Sequence, residues 1–481
     1  MIDREAVRSN AKYLRQVRPI DPEEIAEYIE DYPHPAVVKQ TLREEAFDLG
    51  LIEKEDGTFV PVPEEPVDAP NWNPAAVPDS YCFALEDLLV GEYGANWHVG
   101  ESGDRLREAI RRLKADYFYG NAVEYDQVAA LGYAIYHLPD YYAVVGYVLE
   151  TLAERGLLDR QLRVLDIGAG SGGPALGLSD FLPADALVEY HAIEPSASTD
   201  ILSRMLEETG PNFHTTIHET TIESYTPADG ETFDLILFGN VLSELDAPAD
   251  VVSDATAWLE PDGSIVAIEP ADQNTAIGLR DVERTVAPPD GALNIYAPTL
   301  RLWDGHAPSD RGWSFDVRDD LEVPPFQQRL ADGATSDETP IELPDPDAYI
   351  NVDVQFAYSI IRLDGELRFP FKSTASRYAK MAQMENHVTE RINLLAVKLS
   401  HNLSSDADAN PLFKIGDGSE TIDHYAVLTR RTALNGELAA APYGSVLEFE
   451  NVLVLWNDDE ESYNLVVDDE TVVDAIAGYT H

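Results

Sequence analysis

The most constraining stretch of the chain is Val164-Leu165-Asp166-Ile167-Gly168-Ala169-Gly170-Ser171-Gly172-Gly173, where an apolar strand segment runs directly into alternating glycines. Glycine lets the backbone turn sharply and brings its N–H groups against a ligand that a Cβ would exclude. The pattern predicts a buried strand, a ligand-binding turn and a helix from Pro174 to about Phe181. This is the nucleoside or dinucleotide loop of an α/β sheet, with Gly168, Ala169, Gly170 and Gly172 as its cofactor-facing backbone.

The strands downstream of the loop sharpen the reading. A second strand, Val188 to Ile193, ends in Glu194-Pro195. An acid at that tip is placed to accept hydrogen bonds from two ribose hydroxyls, and it argues against a phosphate beyond the ribose. Asp166, ending the first strand, would bind through water or the amino group of a charged ligand. The competing view makes both acids ordinary solvated residues of an acidic protein. A further strand, Phe233 to Asn240, leads into Val241-Leu242-Ser243-Glu244-Leu245, and Ser264 to Ile268 comes after a Leu259-Glu260-Pro261-Asp262-Gly263 turn and ends in Glu269-Pro270.

This order of elements resembles the class I S-adenosylmethionine-dependent methyltransferases over roughly residues 160–370. Three segments narrow the resemblance: Tyr133 to Ala143 upstream of the loop, Val241 to Leu245, and Ile268-Glu269-Pro270 followed by Arg280. Together they look like the methyltransferase-like family associated with assembly of the mitochondrial small ribosomal subunit, which has prokaryotic relatives. The resemblance implies a Rossmann-like α/β core, S-adenosyl-L-methionine as cofactor, and small-subunit ribosomal RNA as target or contact. A noncatalytic assembly scaffold is one alternative, and a methyltransferase acting on small molecules or proteins is another. Several relatives carry cysteines suited to an iron–sulfur cluster. The corresponding region here, around Gly312-Trp313-Ser314-Phe315, has none.

For the chemistry, Asn240 at the strand end is the residue best placed to orient a methyl acceptor beside the cofactor, and Glu244 either shares that task or caps the next helix. Arg280 and Arg284 lie four apart, on one helix face beside Glu269, where they contact phosphate or pair with that acid. Tyr296, in Ile295 to Pro298, is read as covering the cleft, so Glu269, Arg280, Arg284 and Tyr296 form the expected substrate side. The tyrosines at 133, 136, 141 and 142 are read as packing residues rather than a stacking platform.

The charge bounds the partners. Against 33 Lys and Arg stand 88 Asp and Glu, a net −55 spread along all 481 residues. Self-repulsion of that size is screened only by concentrated salt, where the Debye length falls to about 3 Å near 1 M. The expectation is a halophilic, cytoplasmic protein, with duplex DNA disfavoured as a partner. Cys82, the single cysteine, excludes an intramolecular disulfide and a thiolate metal cluster, and the histidines at 191, 214, 218 and 306 form no compact metal motif. No run of 18 or more apolar residues predicts a membrane span, and the N-terminus has no secretory signal pattern.

The expected organisation is a winged-helix-like unit at 1–62, a Pro-rich linker at 63–80, a helical region at 81–158, the methyltransferase domain at 159–371, and an oligonucleotide-binding (OB)-like β-barrel at 386–470. In the first unit, Lys39 and Arg43 on the second helix face Glu44, Glu45 and Asp48, a poor electrostatic match for a duplex. In the last, Phe413, Lys414, Tyr425, Arg430 and Arg431 are the candidate RNA-contact surface.

Overall fold

A computed structural model describes residues 2–30, 32–119, 125–306, 312–334, 346–404 and 408–476. The chain divides into two compact units, each assembled from separated stretches. The first takes residues 1–226, 233–235 and 321–352, and the second takes 227–232, 236–320 and 353–481.

The first unit opens with α1 (Arg4–Leu14), α2 (Pro22–Tyr28), α3 (Pro35–Glu44) and the single turn α4 (Ala46–Leu49), followed by a hairpin of β1 (Leu51–Glu53) and β2 (Phe59–Pro61). Asp3 and Asp21 cap the first two helices by accepting backbone N–H groups, and Pro22 sits where its missing donor costs nothing. Val7, Ile25, Val38, Leu42, Leu51 and Phe59 make the small core beneath them. Lys39 and Arg43 both reach Glu53, at 2.7 and 2.5 Å, so the cations of α3 are neutralised within the unit.

Next come α5 (Asp79–Tyr93), α6 (Gly100–Tyr119) and α7 (Gln127–Ala153). The 27-residue α7 runs unbroken through Pro139. Proline has no N–H to give residue i−4, so the Ile135 carbonyl loses its helical partner. Gln327, fully buried on the helix Pro325–Ala334, supplies the missing donor through Nε2 at 2.8 Å. Asn351 Nδ2 donates to the neighbouring Tyr136 carbonyl at 3.1 Å. Satisfied in this way, the buried helix survives a residue that normally ends one.

Beyond α7, β3 (Gln161–Ile167), α8 (Gly173–Phe181), β4 (Leu187–Ile193), α9 (Ser198–Leu206) and β5 (Phe213–His218) form a parallel three-strand array in the order β5-β4-β3. Helix α8 crosses α7 with almost no side chain between them. A Cβ on Gly177 would lie 2.2 Å from the Tyr142 carbonyl oxygen, and one on Gly173 would lie 2.8 Å from Cβ of Tyr141. The strand β6 (Phe233–Gly239) gives its first three residues to the first unit and the rest to the second.

In the second unit, α10 (Pro248–Ala255) leads to β7 (Leu259–Pro270), a twelve-residue strand that includes the segment expected to be a turn. After α11 (Gln273–Val286) come β8 (Asn294–Ala297), β9 (Asp316–Val317) and β10 (Gln355–Arg362). Strand β10 pairs antiparallel with β7, β8 and β9. The segment read from the sequence as a cleft cover is therefore sheet: Tyr296 lies in β8 and is buried.

The same unit ends in a closed barrel of β11 (Arg391–Lys398), β12 (Leu412–Gly416), β13 (His424–Leu428), β14 (Val446–Asn457) and β15 (Ser462–Val467). Its ring runs β11-β12-β13-β15-β14 and back to β11, with β13 and β15 parallel and the other pairs antiparallel. A sixth strand, β16 (Val472–Ala475), adds to β14. The Gly416-Asp417-Gly418 turn is an anchor as well as a turn. Asp417, fully buried, accepts from Trp303 Nε1 (2.6 Å), Met381 N (3.0 Å), and Ser419 N and Oγ (2.8 and 2.7 Å).

Gly177→Ala tests the α7–α8 contact. Overpacking against a backbone carbonyl gives no flexible tip to yield, so unfolding of the variant should show a loss of about 2–3 kcal/mol or more. A change within a few tenths would mean that the helices separate freely.

Candidate functional site

The site grows from the end of β3. Gly168, Gly170 and Gly172 have φ of +74°, +53° and +91°, the left-handed region that a Cβ disfavours. The N–H groups of Gly168 and Ala169 both donate to the Ile193 carbonyl, at 2.9 and 3.1 Å, which ties the loop to the end of β4. Gly172 then caps α8. The alternation of glycines seen in the sequence is thus a conformational requirement at three successive alternate positions.

Glu194 closes the arrangement. Its Oε2 accepts the Gly170 N–H at 2.8 Å, and its Oε1 accepts the Ser196 N–H at 2.9 Å. One carboxylate therefore holds the loops after β3 and β4 together, with lone pairs left on both oxygens. Pro195 beside it is exposed and Ala169 is buried.

Asp166 lies deeper than the sequence suggests. It is fully buried, its Oδ2 accepts the Tyr190 hydroxyl, and its Oδ1 has no hydrogen-bond partner. Burial raises the carboxyl from the ordinary 3.8 to about 7; the Tyr190 hydrogen bond opposes that shift and the Glu194 charge adds to it. The sequence places it at the end of β3 but does not show this burial. Tyr190 is hidden from sequence reasoning because a tyrosine in mid-strand looks like any other core residue.

The remaining candidates belong to the second unit. Asn240 has φ +58°, a conformation Asn tolerates better than most residues, and its N–H donates to the Ile268 carbonyl at 2.8 Å. The 3₁₀ turn Leu242–Glu244 comes next, with Glu244 exposed. Glu269, at the end of β7, is buried and accepts the Leu242 N–H at 2.8 Å. Burial pushes its carboxyl up to about 8, against hydrogen bonds from Ser243 and Leu242. Asn240, Glu244 and Glu269 are thus brought together around one turn.

Arg280 has a different role from the expected one. Its guanidinium is fully buried, pairs with Glu283 and donates to the Tyr358 carbonyl at 2.9 Å. A charge on a helix face packed against β10 is retained only with such partners. Arg284, one turn on, pairs with Asp281. The two arginines do share a face of α11, but that face is turned toward the interior.

Residues 165–265 match the sequence profile of a methyltransferase domain. The chain therefore carries a methyltransferase domain. Residues 4–55 and 382–476 match the N- and C-terminal domains of a family described only as a domain of unknown function, DUF8157. No curated protein matches the chain. Among solved structures, it is similar to a putative methyltransferase from Thermoplasma acidophilum, at 9% identity over 43% of this chain and 70% of that one, with a TM-score of 0.27. It is also similar to the plantazolicin methyltransferase BamL in complex with a triazolic analog and SAH, at 11% identity over 60% and 98%, TM-score 0.29. A third is the ribosomal protein L11 methylase of Lactobacillus delbrueckii subsp. bulgaricus, at 20% identity over 28% and 61%, TM-score 0.21. Scores this low carry no weight beside the profile match and the loop geometry.

The cofactor is S-adenosylmethionine. The first unit fits it: three left-handed glycines form a cradle that a Cβ would strain, and a buried Asp166 oxygen has no partner of its own. Glu194 keeps acceptor capacity for the ribose hydroxyls.

Both acids of the cradle can be tested. Glu194→Gln puts an NH₂ where an oxygen now accepts a backbone N–H, so calorimetry in multimolar KCl should show S-adenosylhomocysteine binding weakened by about 1–3 kcal/mol. Asp166 is favoured neutral in the fold, so its contribution to stability is complete below its unfolded value of 3.8 and lost as pH rises through about 7. The stability advantage of Asp166→Asn over wild type should therefore grow by roughly 2–3 kcal/mol between about pH 5 and pH 8. A pH-independent difference would show that Asp166 ionises freely.

Proposed function

We propose that this chain is a catalytically active S-adenosylmethionine-dependent methyltransferase of a concentrated-salt cytoplasm, acting on a small-molecule or protein acceptor. The observation that carries the reading is Glu194 holding the Gly170 and Ser196 N–H groups at once, together with a buried Asp166 oxygen that has no partner. A scaffold that had lost catalysis would have no need to keep a buried acid with a raised pKa under a loop that requires three glycines.

Charge favours this acceptor class over ribosomal RNA, the target implied by the family resemblance. On the barrel, Lys414 is already paired with Asp423 at 2.7 Å, and Arg430 with Asp469 at 2.9 Å. The hairpin between β14 and β15 reads Asn457-Asp458-Asp459-Glu460-Glu461. A polyanion approaching that edge meets like charge. An RNA-contacting or ribosome-assembly role is the competing reading, and the small ribosomal subunit its partner.

Labelled S-adenosylmethionine and the full chain, added in multimolar KCl to extract from cells lacking this protein, separate the two. Label in the low-mass or protein fraction is the expected result. Label confined to small-subunit RNA would overturn the acceptor class. Ribosome association without any label would overturn catalysis.

A further inference from the structure

One stripe of α7 is unexplained by cofactor binding. Tyr133, His137 and Tyr141 recur every four residues and so share a stripe along the helix. Both ends of that stripe meet the glycine loop. A Cβ on Gly170 would stand 3.6 Å from Tyr133 Cε1, and a Cβ on Gly173 would stand 2.8 Å from Tyr141 Cβ. His137 therefore lies between two residues that touch the loop.

The imidazole is surrounded by flat rings. It stacks on Tyr141 with centroids 5.1 Å apart and planes 19° apart, and it lies 4.9 Å from Tyr133 and Tyr136 and 6.4 Å from Tyr117. Its Nδ1 is 3.5 Å from Asp140 Oδ2, and Asn351 Nδ2 donates to the same oxygen at 3.0 Å. The Tyr141 N–H holds the other Asp140 oxygen at 3.1 Å. With Nδ1 toward the fixed carboxylate, Nε2 is turned away from it, and His137 keeps 19% of its side chain exposed. Two donors, Asn351 Nδ2 and the Tyr141 N–H, thus hold the Asp140 carboxylate beside the imidazole, and Asn351 Nδ2 also lies 3.5 Å from His137 Nδ1.

Resting on the methyltransferase reading, we infer that His137 is the general base of an acceptor subsite on α7, built for a planar ring nucleophile that carries an ionisable N–H or O–H. Tyrosine faces bind a flat ring by stacking. The strongly negative chain disfavours polyanionic acceptors. In the transfer, the acceptor lone pair forms the bond to the methyl carbon while the carbon–sulfur bond breaks onto sulfur, leaving S-adenosylhomocysteine. The acceptor proton passes to His137 Nε2, and Asp140 stabilises the imidazolium. The titratable groups facing the imidazole are Asp140 and Tyr133, Tyr136 and Tyr141 on α7, and Tyr117 on α6; Lys114 on α6 donates to the Tyr136 hydroxyl.

The test uses the full chain in multimolar KCl, with 2-naphthol as the O–H probe and benzimidazole as the N–H probe. Equilibrium dialysis should show saturable binding of at least one probe to the S-adenosylhomocysteine-loaded protein. His137→Gln should keep that binding and the affinity for S-adenosylhomocysteine. Methyl transfer to the bound probe should fall by about 100-fold. Asp140→Asn, a positioning change that leaves the imidazole in place, should lower kcat for the bound probe with its KM and the S-adenosylhomocysteine affinity unchanged. S-adenosylhomocysteine binding with neither probe bound would overturn the inference alone, as would an unchanged rate in His137→Gln. No S-adenosylhomocysteine binding by wild type would remove the methyltransferase reading and this inference with it.

Discussion

The first unit depends on how closely α7 and α8 approach. The Tyr142 carbonyl occupies the volume that any side chain at Gly177 would need, and Tyr141 does the same at Gly173. Because α8 begins where the glycine loop ends, that contact fixes the loop from one side. Glu194 fixes it from the other through Gly170 and Ser196. A loop with three left-handed residues has little conformational preference of its own, so its geometry is imposed by these neighbours.

The loop is legible in the sequence because its cause is local. Alternating glycines after an apolar strand have few other uses, and an acid ending the next strand is a positional signal. The barrel is legible for a similar reason: its five strands are separated by turn residues and keep the period of a half-buried sheet. Asp166 escapes such reading because burial is a tertiary property, and no local pattern distinguishes an acid above a hydroxyl from an acid in water. Arg280 escapes it similarly, since spacing gives the face of a helix and not the direction in which that face is turned.

The continuity of α7 is set by residues far from it in sequence. Pro139 is a strong local signal for a helix end, and the donors that overrule it, Gln327 and Asn351, lie some two hundred residues further along the chain. His137 and Asp140 flank that proline, so the same interruption hides their pairing at i and i+3. The tyrosines around them read as core because aromatic density is the same for a core and for a ring-binding surface.

The repair at Pro139 also bears on how the protein is made. A ribosome delivers the chain from its N-terminus, so residues 127–153 emerge well before the glutamine and asparagine that complete them. Until residue 351 has been synthesised, the turn holding His137 has two carbonyls without their final donors. Maturation of this unit is therefore tied to late translation, and a nascent chain halted before that point would leave the turn open to water or to a chaperone.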